Sequence, residues 1–172
     1  MPAADLPLTV ELAADLLEQK QPGRAGVTRE FTWLEVKQLV AANRLELLGR
    51  TTPEELAYRE DMRKIRDEYG SVTKFILEVK LAEFIASSAE RYLMIPNDYP
   101  YSLPATTRHY IIWSKVELTS GTVPDPDIRA LFSKKLDAQF GSDRYEWVWF
   151  VNPPHLQSIP EVVHGHLIIQ AL

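Results

Sequence analysis

The sequence contains no cysteine. Disulfide bonds, thiolate metal sites and a cysteine nucleophile are therefore excluded. Small secreted domains usually depend on disulfides, so this absence favours a cytoplasmic location. Residues 1–20 also lack the basic segment and the long apolar run that together form a signal peptide.

Long apolar runs and an excess of one charge are missing too. No stretch approaches the roughly 20 apolar residues of a membrane-spanning helix, so we expect no membrane association. Acidic and basic residues are mixed along the chain and give a net charge of −5. That distribution lacks the basic surface that binds a phosphate backbone, so nucleic acid is not an expected partner. The remaining composition, 45% apolar and 25% charged, is typical of a globular domain.

Helical patterns fill the first half of the chain. Residues 9–20 form an amphipathic segment, and the stretch 21–29, which contains proline and glycine, follows as a linker. We therefore expect an N-terminal helix and linker over residues 1–30 and a single α+β domain over residues 31–172.

Two capping-box patterns predict where further helices begin. Thr32 and Glu35 begin the first of these helices, and Thr52 and Glu55 begin the second. Ser71 begins a third, more apolar helix, which we expect to lie across the sheet.

The hydrophobic pattern changes in the second half of the chain. Segments rich in β-branched and aromatic residues predict strands, and one amphipathic helix lies between the second and third strands. The strands are predicted at 92–95, 109–116, 145–151 and 162–169, and the helix at 124–140. Because segment 145–151 is apolar on both faces, we expect it to be a central strand. Helices followed by strands favour an α+β fold with a mainly antiparallel sheet and a helical N-terminal part.

Two histidines lie on the last predicted strand. Side chains alternate along a strand, so His164 and His166 share one face, while the apolar residues around them form the core face. Gly165 lies on that core face, where a small residue permits close packing. If strand 109–116 belongs to the same sheet, His109 can join the pair.

Four interpretations fit this arrangement. The pair could hold a metal ion, with a third ligand from His109, Asp98 or Glu161. It could carry out general acid–base catalysis, or one histidine could attack phosphorus. The fourth interpretation is that both histidines lie on a solvated surface. Since the chain has no cysteine and only four histidines, we expect neither a metal nor another cofactor.

Two loops supply candidate ligand-binding groups. The segment Asn152-Pro-Pro-His-Leu-Gln-Ser-Ile-Pro160 leads into the histidine strand, and its amides and hydroxyl can bind an oxyanion or another polar ligand. The second loop is Asn97-Asp-Tyr-Pro-Tyr101. The expected substrate-binding residues, including two from strand 109–116, are Asn152, Gln157, Ser158, Asp98, Tyr99, Trp113 and Lys115.

An ordered set of motifs over residues 31–170 resembles the fungal N-acetylglucosamine-induced protein family. The motifs are Trp33-Leu-Glu-Val-Lys37, Asn43-Arg-Leu45, Arg50, Tyr58, Tyr69-Gly-Ser-Val72, Asn97-Asp-Tyr-Pro-Tyr101, His109-Tyr-Ile-Ile-Trp-Ser-Lys115, Gln157-Ser-Ile159 and His164-Gly-His166. The resemblance implies a fungal cytosolic protein connected with a sugar response or a small-molecule pathway.

The second half is also similar to histidine-triad (HIT) nucleotide hydrolases and transferases. The similar residues follow the order His109 to Lys115, Asn152, Gln157-Ser-Ile159, then His164-Gly-His166. The similarity implies a HIT-like fold in which His166 or His164 attacks the α-phosphorus. By the same analogy, Gln157 and Ser158 contact phosphate, and Asn152 orients a ribose or a histidine.

These observations predict a small cofactor-free enzyme that acts on a small-molecule substrate. Its catalytic residues are expected to be His164 and His166, with His109 as a third candidate. The preferred reaction is hydrolysis or transfer directed at a nucleotide or a sugar phosphate. Ile168 stands where a third histidine belongs in the HIT pattern, which leaves two alternatives open. One is an acid–base isomerase or cyclase of a fungal biosynthetic pathway, and the other is a non-catalytic sensor of a sugar or nucleotide.

Overall fold

A computed structural model describes residues 7–19 and 25–172. Over these residues, six α-helices accompany one four-stranded antiparallel sheet, which confirms the predicted α+β fold with its helical N-terminal part. The elements are α1 (Val10–Gln19), α2 (Trp33–Ala41), a 3₁₀ turn (Leu45–Leu47), α3 (Thr52–Tyr69), α4 (Val72–Phe75), a π-helical turn (Ile76–Lys80), α5 (Ala82–Ala86), β1 (Tyr92–Pro96), β2 (Thr107–Ser114), α6 (Pro126–Phe140), β3 (Tyr145–Phe150), a 3₁₀ turn (Pro154–Leu156) and β4 (His164–Ala171). No helix of the described ranges combines the length and the apolarity needed to cross a membrane.

The N-terminal part of the chain packs onto the core of the domain. Leu16 of α1 and Val27 are each only 1% exposed and belong to the same apolar cluster as the residues of α2. Val27 also donates its backbone N–H to the carbonyl of Arg50. The predicted linker is therefore packed against the domain at this point, while its residues 21–24 lie outside the described ranges.

Capping interactions determine where α2 and α3 begin. The Thr32 hydroxyl accepts the backbone N–H of Glu35 at 3.2 Å, and the Glu35 carboxylate accepts the N–H of Thr32, so the first predicted box is confirmed. The second box lies one residue earlier than predicted, with Thr51 as the cap and Glu54 as its partner. Gly70 ends α3 with a φ of 89°, a conformation that glycine adopts without steric cost.

The strand order of the sheet is β1-β2-β4-β3. The prediction that segment 145–151 is a central strand is wrong, because β3 lies at an edge and β4 lies between β2 and β3. Both faces of β3 are nevertheless covered. Val148 and Phe150 pack against the N-terminal helices, and Trp147 and Trp149 pack against α6. This double cover explains why the edge strand is apolar throughout.

Helices therefore cover both faces of the sheet. Gly165 lies on the face that packs against α6, as predicted, directly beneath the indole of Trp149. A Cβ atom at this position would lie 2.2 Å from the Trp149 ring. The absence of a side chain at this one position lets the six-membered ring of Trp149 approach β4 closely. The opposite face carries the histidines.

Candidate functional site

A cavity of about 650 Å³ lies between the N-terminal helices and the histidine face of the sheet. Its wall combines apolar and aromatic side chains with a small number of polar ones, as in sites that bind small molecules. From the sequence-predicted set it includes His164, His166, Asn152, Ser158, Asp98, Tyr99 and Trp113. The solvated-surface interpretation of the pair therefore does not hold, since His166 is only 7% exposed.

Three predicted site residues lie outside the cavity wall. His109 lies behind His166 and reaches it by a hydrogen bond. Gln157 donates its side-chain N–H to the backbone carbonyl of Asn152 at 2.8 Å and so holds the loop together. Lys115 lies away from the site, with its ammonium group against the Ser87 carbonyl and 4.5 Å from the centre of the Phe84 ring.

Strand register brings the histidines together. Ile111 of β2 pairs with His166 and Trp113 pairs with His164, so these side chains and His109 share one sheet face. The ring centres of His164 and His166 are 5.5 Å apart. The ring centres of His109 and His166 are 5.2 Å apart, as the predicted joining of His109 requires.

A chain of hydrogen bonds defines which nitrogen of His166 carries a proton. The backbone N–H of Tyr101, a donor of fixed identity, points at Nδ1 of His109 at 3.2 Å. That Nδ1 is therefore unprotonated, and the neutral His109 ring carries its hydrogen on Nε2. His109 Nε2 lies 3.0 Å from Nδ1 of His166, to which it donates. Consequently His166 carries its own hydrogen on Nε2.

The Nε2–H of His166 lies next to the side-chain amide of Asn152. The side-chain nitrogen of Asn152, 3.4 Å from Nε2 of His166, is itself a donor. Two donors form no hydrogen bond, so the N–H requires an acceptor, either from a ligand or from the Asn152 oxygen after rotation of the amide. His166 thus presents a hydrogen-bond donor to the site.

His164 has the opposite tautomer. Its Nδ1 lies 2.7 Å from the backbone carbonyl of Val162, which can only accept, so Nδ1 carries the hydrogen. Nε2 of His164 therefore carries a lone pair, to which no residue of the described ranges donates. The Trp113 ring, 4.9 Å away between centres, flanks the imidazole. The two histidines of the His-x-His motif offer one acceptor and one donor.

Burial keeps all three imidazoles neutral. Burial, and to a smaller extent the Arg50 cation, lower the pKa of His109 to about 3. The pKa of His166 is lowered well below its usual range by burial first, then by His109 and His164. Burial also lowers the pKa of His164, although the hydrogen bond to Val162 acts in the opposite direction. The tautomer assignments therefore apply at neutral pH.

Aromatic neighbours hold the His166 ring in place. Phe150 stacks on it with ring centres 4.8 Å apart and planes 7° apart. Tyr101 stacks on it at 5.7 Å and 15°. Packing against Phe150 of β3 and Tyr101 of the 97–101 loop therefore fixes the orientation of the His166 ring and of its Nε2–H.

Arg50 is a member of the cavity wall that the sequence interpretation did not assign to the site. Its guanidinium lies 4.1 Å from the centre of the Tyr58 ring, donates to the Tyr99 carbonyl at 3.0 Å and pairs with Glu55 at 3.1 Å. Arg50 and Tyr58 were both part of the family motifs, and that was the only sequence signal for them.

The π-helical turn contributes a further cation to the wall. Lys80 is its last residue, and its ammonium group forms an ion pair with Asp98 of the 97–101 loop. The same group lies 6.0 Å from the centre of the Trp113 ring. π-Helical turns are uncommon and often occur at functional sites. Among the described residues, no three or more histidine or carboxylate groups are arranged to hold a metal ion.

Fold and site define the class of this protein as an α+β domain with a histidine-lined cavity between its helices and its sheet. The chain belongs to the DUF3605 family, described as a protein of unknown function, whose sequence profile matches residues 32–170.

Two curated relatives are similar over most of the chain. One is N-acetylglucosamine-induced protein 1 of Candida albicans, 22% identical over 87% of this chain and 72% of the relative. The other is the uncharacterized protein YPL067C of Saccharomyces cerevisiae, 26% identical over 81% of this chain and 78% of the relative. The predicted resemblance to the N-acetylglucosamine-induced protein family is thereby confirmed.

A solved structure shares the fold. The crystal structure of HTC1 superposes with a TM-score of 0.57, at 24% sequence identity, and covers 83% of this chain and 86% of the HTC1 chain. At this identity the similarity concerns the fold alone.

Proposed function

We propose that this protein is an enzyme that moves a proton on a small molecule bound in the cavity, in an isomerisation or cyclisation reaction. The observation that carries the proposal is that two neighbouring neutral histidines have opposite tautomers. His164 offers the Nε2 lone pair, and His166 offers the Nε2–H. The two ring centres are 5.5 Å apart. Proton abstraction next to a carbonyl requires a base and a fixed hydrogen-bond donor close together.

The proposed first step forms an enolate. Nε2 of His164 takes a proton from the carbon beside a ligand carbonyl, and the electron pair of that C–H bond moves onto the carbonyl oxygen. The Nε2–H of His166 donates a hydrogen bond to this oxygen while charge develops on it. A neutral imidazole can polarise a carbonyl in this way. His166 keeps its proton throughout.

The second step returns the proton. The His164 imidazolium, whose Nδ1–H donates to the Val162 carbonyl, delivers the proton to another carbon or to oxygen. Alternatively, the enolate carbon attacks a second carbonyl of the same ligand and closes a ring, after which His164 protonates the new alkoxide. His164 is the catalytic base, His166 is the oxyanion donor, and His109 is a positioning residue behind His166.

The HIT-like interpretation requires a nitrogen lone pair directed at phosphorus. The hydrogen bond from His109 occupies the lone pair of His166 at Nδ1, and its Nε2 carries a hydrogen, so His166 is poorly suited to nucleophilic attack. His164 keeps an Nε2 lone pair, so phosphate transfer would have to proceed through that residue. We prefer the acid–base alternative because it also uses the hydrogen-bond donor of His166. The absence of cysteine favours the cytoplasm as the compartment for this reaction.

The test is α-proton exchange in D₂O, followed by NMR, for a panel of ring-containing ketones that includes 1-indanone and 2-tetralone. We expect wild-type protein to accelerate exchange and His164→Ala to abolish it. His166→Ala should lower the rate about 100-fold, which is the usual effect of losing an oxyanion donor. His155→Ala, which changes an exposed histidine of the preceding 3₁₀ turn, serves as the matched control.

Two outcomes would count against the proposal. Exchange that continues unchanged in His164→Ala would remove this histidine from the mechanism. Ligands that bind to the wild type without exchange or turnover would support the sensor alternative instead.

A further inference from the structure

We propose that the cavity selects an uncharged, ring-containing molecule with a carbonyl or hydroxyl group, and rejects phosphorylated or carboxylated ones. The inference rests on the proposed function, since it names the substrate class of the same site. It concerns what binds rather than what reacts, and it depends on the charges of the cavity wall.

Two cations of the wall, Arg50 and Arg59, share one carboxylate of the protein, so this cluster keeps one positive charge. Glu55 accepts from Arg50 at 3.1 Å and from Arg59 at 3.2 Å, so one carboxylate holds two guanidinium groups. The side chains of Arg50 and Glu55 are only 14% and 19% exposed. Arg50 is further fixed by the Tyr99 carbonyl. A phosphate entering here would have to displace a largely buried carboxylate from its partner.

The third cation of the wall, Lys80, is neutralised by a carboxylate of its own. Lys80 pairs with Asp98 across the cavity, between the π-helical turn and the 97–101 loop. Arg50, Arg59 and Lys80 are the cationic residues among the described residues of the wall, and each pairs with a carboxylate.

The wall as a whole favours neutral ligands. Beside these cations it contains four carboxylate residues, Glu46, Glu55, Asp61 and Asp98, and Arg44, just outside the wall, pairs with Glu46, so the wall offers no surplus of positive charge. Asp61 accepts the Tyr99 hydroxyl at 3.1 Å and directs its negative charge toward the same space. A dianionic ligand would lose hydration in this partly desolvated cavity without meeting a surplus of positive charge in return, which disfavours its binding.

Backbone groups that bind anions elsewhere are also occupied. The N-terminus of α3 lies beside the cavity, but its capping box uses the Thr51 hydroxyl and the Glu54 carboxylate to satisfy the free N–H groups. An anion finds no vacant helix end there.

The remaining wall determines the shape of the ligand. Five aromatic residues line it together with aliphatic side chains; the aromatic residues are Tyr58, Phe75, Tyr99, Tyr101 and Trp113. Such a wall binds flat, mostly apolar rings. The polar group of the ring then meets the His164 acceptor and the His166 donor. The substrate class is therefore a hydroxylated or carbonyl-bearing ring compound without an acidic group.

The experiment compares two probes of equal ring size and different charge, 2-naphthol and 2-naphthyl phosphate, by isothermal titration calorimetry at pH 7. We expect wild-type protein to bind 2-naphthol at least 10-fold more tightly. Glu55→Gln frees Arg50 and Arg59, and should reduce that ratio at least 10-fold. Asp98→Asn frees Lys80 and should act in the same direction; Asp98 is exposed, so this variant tests the idea even if Glu55→Gln fails to fold.

The matched control is Glu60→Gln, which removes an exposed carboxylate of the same helix that pairs with Arg63 away from the cavity. It should leave the binding ratio unchanged. Three results would overturn the proposal: equal or tighter binding of the phosphate by the wild type, an unchanged ratio in both Glu55→Gln and Asp98→Asn, or no binding of either probe.

These outcomes are separate from those of the proposed function. Charge selection can hold in a protein that catalyses no exchange, which would contradict only the proton-transfer proposal. Conversely, exchange that depends on His164 while phosphates bind equally well would contradict only the substrate class.

Discussion

His166 illustrates how one residue takes its role from its neighbours. Histidine is both donor and acceptor, so its presence in the sequence defines neither function. The backbone N–H of Tyr101, acting through His109, leaves His166 with a donor toward the cavity. His164 receives the opposite role because its Nδ1 faces a backbone carbonyl.

The first prediction is that these tautomers are directly observable. Long-range ¹H–¹⁵N NMR of the wild type at pH 7 should show His166 protonated at Nε2 and His164 protonated at Nδ1. In His109→Leu the donor to His166 is lost, and catalysed exchange should fall about 10- to 100-fold, as for other positioning residues. His109→Gln retains a donor and should recover part of the rate. A His166 found with its hydrogen on Nδ1 in the wild type would refute the assignment.

The second prediction concerns Gly165. Replacing it with alanine places a methyl group 2.2 Å from the Trp149 ring, so the indole must move. We expect the free energy of unfolding to fall by about 1–3 kcal/mol, which is typical of overpacking. Urea unfolding measures the change.

The matched background is Trp149→Leu, which opens space above β4. In that background Gly165→Ala should cost at least ~1 kcal/mol less than in the wild type, because the two residues are in contact. If the destabilisation by Gly165→Ala is equal in the two backgrounds, contact with the Trp149 ring is not what requires glycine at position 165.

At the scale of single elements, neighbouring carboxylates of α3 serve different purposes. Glu54 closes the capping box with Thr51, whereas Glu55 turns inward to Arg50 and Arg59. Sequence spacing alone suggested Thr52 and Glu55 as the box, one residue too late. The shift has a physical reason, since a buried guanidinium holds Glu55 more firmly than a terminal N–H would.

The third prediction follows from this division. Thr51→Ala removes the cap and should lower the free energy of unfolding by about 1 kcal/mol, without changing the preference for uncharged probes. Glu55→Gln should change that preference. Urea unfolding and the calorimetric ratio measure the two effects. A change of ligand preference in Thr51→Ala would show that capping and selection are coupled.

The π-helical turn is a feature that the hydrophobic pattern of the sequence did not predict. The apolar periodicity after Ser71 correctly predicted helix, but the chain forms α4, the π turn and α5 in succession. The wider turn brings Ile76 into the core beneath the sheet and Lys80 to the cavity. Periodicity detects a helical face and does not resolve one extra residue in a turn.

At the scale of the whole molecule, three buried neutral histidines make stability depend on pH. Their pKa values are lowered in the folded state, to about 3 for His109, while the unfolded chain takes up protons near pH 6.5. Below pH 6.5 the unfolded state binds more protons than the folded state. The free energy of unfolding therefore does not depend on the protonation of these histidines above that pH, and it declines as pH falls toward 3, because protons bind preferentially to the unfolded state.

The fourth prediction gives the size of this effect. His109, whose pKa in the folded state is about 3, should remove about 1.4 kcal/mol of unfolding free energy per pH unit once the unfolded chain is protonated. Urea unfolding of the wild type between pH 6 and pH 4 measures the slope. In His109→Leu the slope should be smaller by about 1.4 kcal/mol per pH unit. An equal slope in both proteins would show that His109 is not kept neutral in the folded state.

The sequence by itself determined the local features. Alternation placed His164 and His166 on one face and Gly165 on the other, and periodicity and caps located most helices and strands. The absence of cysteine excluded thiol chemistry. These inferences succeeded because they depend on residues close together in the chain.

Only the tertiary structure decided the strand order, the cavity wall and the histidine tautomers. β3 is as apolar as a central strand because helices cover both of its faces, which periodicity cannot distinguish from pairing on both edges. Arg50, Glu55 and Lys80 meet the histidines through contacts between distant segments. The tautomers depend on a backbone N–H and a backbone carbonyl, groups that every residue except proline has, so no side-chain pattern reveals which of them will face a histidine.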